Sequence, residues 1–187
     1  MSKILFISEQ YVKDNTVVDE NVDVKVIRPT IYDAQRDHIK PILGTDLYEK
    51  IIADIAGSTL TGDYLTLVDD YIADCLLKYV VFELNIVGLY KYRNKSISKN
   101  NSENSNPVDY TEQRYLMDYW QKKAEVRSQD ITDYLCANVD LFPEYAANND
   151  LDDLLPNSRN YTTSIYLGME ADNYETDYEW KKIKKYR

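Results

Sequence analysis

Most apolar positions in this chain recur at intervals of three and four residues, the period of helices buried along one stripe. Ile31, Ala34, His38 and Ile42, with Gln35 and Ile39 beside them, predict a first helix. Thr30 is its N-cap, Asp33 suits its first turn, and Pro41 and Gly44 punctuate its end. Thr45 caps a second helix striped by Leu47, Tyr48, Ile51, Ile52 and Ile55 and stopped by Gly57. Asp63 caps a third, long helix reaching about Arg93. Its main stripe is Leu65, Val68, Ile72, Cys75, Leu76, Tyr79, Ile86 and Tyr90. From Leu76 onward the apolar residues go nearly all round, so this helix packs on more than one side. Asp109 and Glu112 have capping-box spacing for a fourth helix, buried through Leu116, Trp120, Ala124, Ile131 and Leu135 and ending near Asn138 to Asp140.

The remaining stretches lack that period. Ile4 to Ile7 reads as a short strand or extended arm, followed by a polar stretch from Glu9 to Asp23. Val24 to Arg28 leans to β structure until Pro29, which pushes Arg28 into extended backbone. Asn94 to Pro107 is polar and low in complexity, which predicts a mobile loop. In the last segment, Leu151 to Pro156 is compatible with one helical turn, and Tyr161 to Leu167 leans to β structure. Glu170 to Glu179 is acidic, and Trp180 to Arg187 basic. The expected architecture is mainly α, a small bundle of about four helices with a long central one and short β or extended arms at both ends. A helical domain spans residues 1–140, and an extended arm spans 141–187.

Charge narrows the role. The 187 residues carry a formal net charge of −10, which repels nucleic acid over most of the surface. There are 18 tyrosines but only 5 glycines. Tyrosine favours protein contacts, and scarce glycine disfavours phosphate-binding loops. Tyr71, Tyr79, Tyr115 and Tyr119 are expected in or at the edge of the core. Tyr161, Tyr166, Tyr174, Tyr178, Trp180 and Tyr186 lie outside the main helices and are expected at contacts with other subunits. Cys75 and Cys136 read as buried free thiols of a reducing compartment. The N-terminal apolar run is too short for a signal peptide, and Lys78, Glu83 and Asn85 interrupt the most apolar helix, so a soluble protein made in the cytoplasm is expected.

Candidate chemistry is sparse. His38 is the single histidine; a site with Asp33 and Asp37 is conceivable, but a lone helical histidine is more often a core-edge or surface residue. Glu83 is the one acid inside an apolar helical run. It suits a catalytic carboxylate, a partner for Arg or Lys across a subunit contact, or a side chain that snorkels to the edge of the core. The pairing across a subunit contact is favoured, because no other carboxylate sits a turn away. Asp150, Asp152 and Asp153 lack the glycine and terminal glutamate of a calcium loop and read as a solvated acidic loop. Lys181, Lys182, Lys184, Lys185 and Arg187, interleaved with Trp180 and Tyr186, would suit DNA or another acidic surface, or simply balance the preceding acidic stretch. No catalytic residue, metal site or cofactor is expected.

The run from Ile27 to Tyr48, with Ile31, Ala34 and Gln35 leading into Ile42-Leu43-Gly44-Thr45 and then Leu47-Tyr48, resembles head-to-tail connector (adaptor) proteins of tailed bacteriophages, closest to those of crAss-like phages of Bacteroidetes hosts. Lys3 to Ser8 also fits. The likeness covers about residues 1 to 93, extends to the fourth helix by pattern, and does not reach the last 45 residues. It implies a non-enzymatic ring, with twelve copies the expected number, in the neck of the virion. Such a ring joins portal to tail, meets other neck proteins, and passes the genomic DNA without binding it specifically. A tail-completion or stopper ring, a small acidic regulatory or chaperone protein, and an enzyme using Glu83 or His38 are the competing readings.

Overall fold

A computed structural model describes residues 3–87, 90–93, 96–99, 109–146 and 154–156 and is mainly α. Residues 4–7 form no strand; they are a non-helical lead-in whose Phe6 and Ile7 are buried. Ser8 then opens α1 (Glu9–Asn15), its Oγ accepting the Tyr11 N–H at 3.1 Å, and Val12 is the residue this helix buries. The expected polar stretch is thus partly helical.

Helix α2 (Val24–Ala34) starts seven residues before the expected first helix. Asp23, not Thr30, is the N-cap; its Oδ1 accepts the Lys25 N–H at 2.9 Å. Pro29 lies inside the helix, and the Thr30 hydroxyl donates to the Val26 carbonyl at 2.8 Å. A proline in a helix interior costs about 3 kcal/mol, and β-branched residues a few tenths each. Burying Ile27 and Ile31 completely contributes about 1.5–3 kcal/mol apiece, and the cap about 1 more. Packing therefore outweighs the local preference for extended chain.

A π-helical turn, Gln35–Ile39, joins α2 to α3 (Lys40–Leu43), with the Lys40 N–H bonding back to the Gln35 carbonyl. The wider turn lies just ahead of Pro41, whose ring would crowd a regular preceding turn. Pro41 therefore sits within the helix, which ends at Gly44 with φ +78°. Helix α4 (Thr45–Gly57) follows, burying Leu47, Tyr48 and Ile51. Gly44 holds its cap position and Thr45 is its first residue. Its C-terminal left-handed residue is Ser58, φ +54°, one past Gly57.

Helix α5 (Gly62–Thr66), a second π-helical segment (Leu67–Ile72) and α6 (Ala73–Val87) make up the expected long helix. Thr61 occupies its cap position, with Asp63 in the first turn. It ends at Val87 and not near Arg93. Strand β1 (Tyr90–Arg93) pairs antiparallel with β2 (Ser96–Lys99), Tyr90 opposite Lys99 and Arg93 opposite Ser96. Part of the expected loop is therefore a ribbon, for which the aromatic and β-branched Tyr90, Tyr92 and Ile97 are well suited. The rest of that loop lies outside the described residues.

Helix α7 (Tyr110–Ala137) begins with the Asp109–Glu112 capping box, the Glu112 carboxylate accepting the Asp109 N–H at 3.4 Å. A 3-10 turn (Val139–Leu141) and the short α8 (Pro143–Ala146) follow. Helix α6 is central: it packs against α2 and, most extensively, α7. The core does not stop at residue 140, since Phe142 and Tyr145 are buried in it. No helix among the described residues is long and apolar enough to cross a membrane.

Candidate interaction surfaces

Two motif residues hold chain segments in place. Gln35 is fully buried at the start of the π turn. Its Oε1 accepts the Phe6 N–H at 2.9 Å, and its Nε2 donates to the Tyr48 hydroxyl at 2.9 Å and to the Ile4 carbonyl at 3.4 Å. One amide so ties the N-terminal segment and α4 to the end of α2. Burial holds the Tyr48 hydroxyl pKa above its ordinary value, with the Gln35 bond opposing. On the other side of α3, the Thr45 N–H donates to the Leu154 carbonyl at 3.1 Å, and the Leu154 N–H donates to Thr45 Oγ1 at 2.9 Å. Pro156 lies so close to Gly44 that an added Cβ would meet its Cγ at 2.9 Å. Gly44 and Thr45 are thus a clasp for residues 154–156, which are in no helix or strand; the rest of the stretch from Leu151 that was compatible with a helical turn lies outside the described residues.

Glu83, expected to face Arg or Lys of another subunit, reaches a residue of its own chain. His38 Nε2 lies 3.2 Å from its Oε1, and the His38 ring stacks on Tyr79 with centroids 4.0 Å apart and planes 3° from parallel. Phe82 meets the imidazole edge-on. The π turn and α6 bring these groups together across 45 residues of sequence. Neither Asp33 nor Asp37 is in ion-pair range of His38. Both members of the pair are roughly three-quarters covered, with side chains 26% and 28% exposed. Burial lifts the Tyr79 hydroxyl to about 12, against a hydrogen bond from Ser128 of α7.

Between the second π segment, the start of α6 and the C-terminal half of α7 lies a cleft of ≈ 300 Å³ lined by Asp70, Tyr71, Asp74, Arg127, Asp130, Asp133 and Tyr134. The Tyr71 and Tyr134 rings stack with centroids 4.2 Å apart. Arg127 bridges Asp74 at 2.7 Å and Asp130 at 3.0 Å, and Lys78 adds a 2.9 Å pair to Asp74. Asp70 and Asp133 have no cation within ion-pair range among the described residues. No group of three or more metal-ligating side chains occurs among those residues.

The N-terminal half of α7 presents an aromatic face to solvent. Tyr115 is 72% exposed, and Tyr119 and Val126 continue the same face at helical spacing. Lys123 Nζ stands 4.4 Å over the Tyr119 ring. Leu116, expected to be buried, is exposed, and Trp120 is only half-buried. Helix α6 lies along α7 from Gln113, whose Nε2 donates to the Asn85 carbonyl, to Ala124 beside Cys75, but it covers the face of Ala124, Ile131 and Leu135; Tyr115, Tyr119 and Val126 are on the opposite face.

A family model matches residues 39–153, from the end of the π turn to the residue before the clasp. The chain belongs to DUF6712, a family of unknown function. The DUF6712 match includes Gly44, Thr45, Glu83 and the whole of α6 and α7, and leaves Gln35 and His38 just outside. No curated protein and no solved structure matches the chain.

Of the residues read from sequence as contacts, Glu83 alone is described; Tyr161, Tyr166, Tyr174, Tyr178, Trp180 and Tyr186 lie outside the described residues, as do the basic terminus and Asp150, Asp152 and Asp153. Tyr79 is buried and Tyr71 half-buried, but Tyr115 and Tyr119 are exposed. Cys75 is buried, whereas Cys136, expected inside, is exposed. The exposed α7 face and the acidic cleft were missed. The one available signal was the polar run from Gln121 to Asp130, which marks a helix with a wide solvent side.

Proposed function

We propose that this DUF6712 member is a structural virion protein, a head-to-tail connector that joins portal to tail as a ring around the DNA channel. The observation carrying this reading is the use made of the run that resembles connector proteins. Ile27, Ile31, Ile39, Leu43 and Leu47 in it are fully buried, Gln35 holds the N-terminal segment, and Gly44 with Thr45 holds residues 154–156. A motif whose isoleucines and leucines go into packing, and whose Gln35, Gly44 and Thr45 anchor chain segments, suits a subunit that works by shape. The exposed aromatic face of α7 adds surface for neighbours. A net charge of −10 suits a protein that DNA passes without sticking. In this reading the protein is not an enzyme, needs no cofactor, assembles in the host cytoplasm and resides in the virion neck.

The test is sedimentation of the purified chain with and without the portal protein of the same genome, followed by electron microscopy of any complex. A closed ring seated on the portal is expected. A chain that ignores the portal overturns the adaptor reading and points to a stopper ring lower in the neck, or to a small acidic regulator or chaperone. Mass spectrometry of virions separates those two, because a ring protein stays with the particle.

A further inference from the structure

Helix α7 carries opposite characters on its two halves. The outward face of its N-terminal half has Tyr115, Tyr119, Lys122 and Lys123, with one acid, Asp118, among them, and ends on Val126, which is 60% exposed. Neither Lys122 nor Lys123 makes an ion pair among the described residues, and Lys123 Nζ stands over the Tyr119 and Trp120 rings. The C-terminal half continues the same face with Asp130 and Asp133 and borders the acidic cleft, where Asp70 adds a further charge with no cation in ion-pair range among the described residues. Tyr71 and Tyr134 wall that cleft.

The two halves complement each other in charge and both offer aromatic faces, yet they cannot meet within one chain. They sit on one unbroken helix, and Tyr119 and Asp130 are separated along its axis by about 16 Å. The partner that carries both surfaces is another copy of the same chain.

We propose that copies of this protein associate through α7, the basic aromatic stretch Tyr115–Lys123 of one copy docking on the acidic half and cleft, Arg127–Tyr134 with Asp70, of the next. This deepens the ring reading, whose neighbour contacts it would form. Cation–π and charge contacts at the rim set the register, while Tyr115, Tyr119 and Val126 supply the apolar area.

Analytical ultracentrifugation of full-length variants tests this. The native chain should self-associate in low salt, with affinity falling as salt rises. The pair Lys122→Glu and Lys123→Glu, and separately the pair Asp70→Lys and Asp133→Lys, should each weaken association at least about tenfold. All these side chains are on the surface, so the fold should survive, which circular dichroism checks. Mixing the two weakened variants should restore association, since one retains the basic stretch and the other the acidic one. A native chain that stays monomeric at high concentration overturns the proposal. So does a mixture that stays dissociated. Loss of association on replacing Lys181 and Lys182 by Glu, with Lys122→Glu/Lys123→Glu unaffected, would make the basic terminus the occupant and equally overturn it. Association through α7 without portal binding would defeat the connector reading alone; portal binding by a chain whose α7 variants behave like native would defeat this contact alone.

Discussion

The Phe6 backbone N–H points at the Gln35 Oε1, 2.9 Å away across 29 residues of chain, inside the core. Gln35 is fully buried, and its amide also takes the Tyr48 hydroxyl. Replacing it with Leu keeps much of the volume but leaves a buried N–H and hydroxyl without partners. Each orphaned group costs about 1–3 kcal/mol. Gln35→Leu should therefore lower stability by about 2–4 kcal/mol in denaturant titrations. Hydrogen exchange should show the Phe6 amide losing protection. A variant as stable as the native chain would mean that the knot contributes no net stability.

Gly44 has φ +78° and sits against Pro156 and the Leu154 carbonyl. An alanine there would suffer both a left-handed backbone and a Cβ at 2.9 Å from the proline ring. Gly44→Ala should cost about 1–3 kcal/mol and loosen the clasp. Limited proteolysis should then cut after residue 146 faster than in the native protein. Unchanged cleavage would show that the two hydrogen bonds to Thr45 hold the segment alone.

Several tyrosines set an alkaline limit. Burial raises the hydroxyl pKa of Tyr79 to about 12 and of Tyr145 to about 12, the latter also beside the Cys136 thiol. Burial, then the Glu144 carboxylate that accepts its proton at 2.5 Å, likewise raises Tyr64. A folded pKa above the unfolded value of about 10 gives stability that is full below pH 10 and lost as pH rises through the folded values. Unfolding should accordingly set in above pH 10. In an absorbance titration Tyr79, Tyr145 and Tyr64 should ionise together with the unfolding transition. Tyr79→Phe should move the transition upward. A transition below pH 9 would contradict this assignment.

The two thiols should differ in reactivity. Cys75 is buried, its Sγ 3.7 Å from the Ala124 carbonyl, and burial pushes its pKa well above the ordinary thiol range. Cys136 is exposed near the end of α7. A disulfide reagent at neutral pH should label one thiol quickly, and both after denaturation. Cys136→Ser should abolish the fast phase. A fast phase that survives in that variant would place Cys75 within reach of solvent.

What the chain's own pattern discloses follows from the range over which a pattern acts. The mainly α class, the stripe of α4, the capping box of α7 and the central place of α6 could all be read from residues three or four apart. Those neighbours meet as soon as a helix forms. Tertiary packing decided the rest. Ile27 and Ile31 are buried deeply enough to draw Pro29 into a helix, overriding its local preference. Gln35 reaches Phe6, Thr45 reaches Leu154 and His38 reaches Glu83, spans of 29, 109 and 45 residues that no periodicity encodes. Whether a tyrosine is core or surface depended on which face of its helix a neighbour covers. Because α6 covers the Ala124, Ile131 and Leu135 face of α7, Tyr115 and Tyr119 on the opposite face are left to solvent, on the face through which we propose the copies meet.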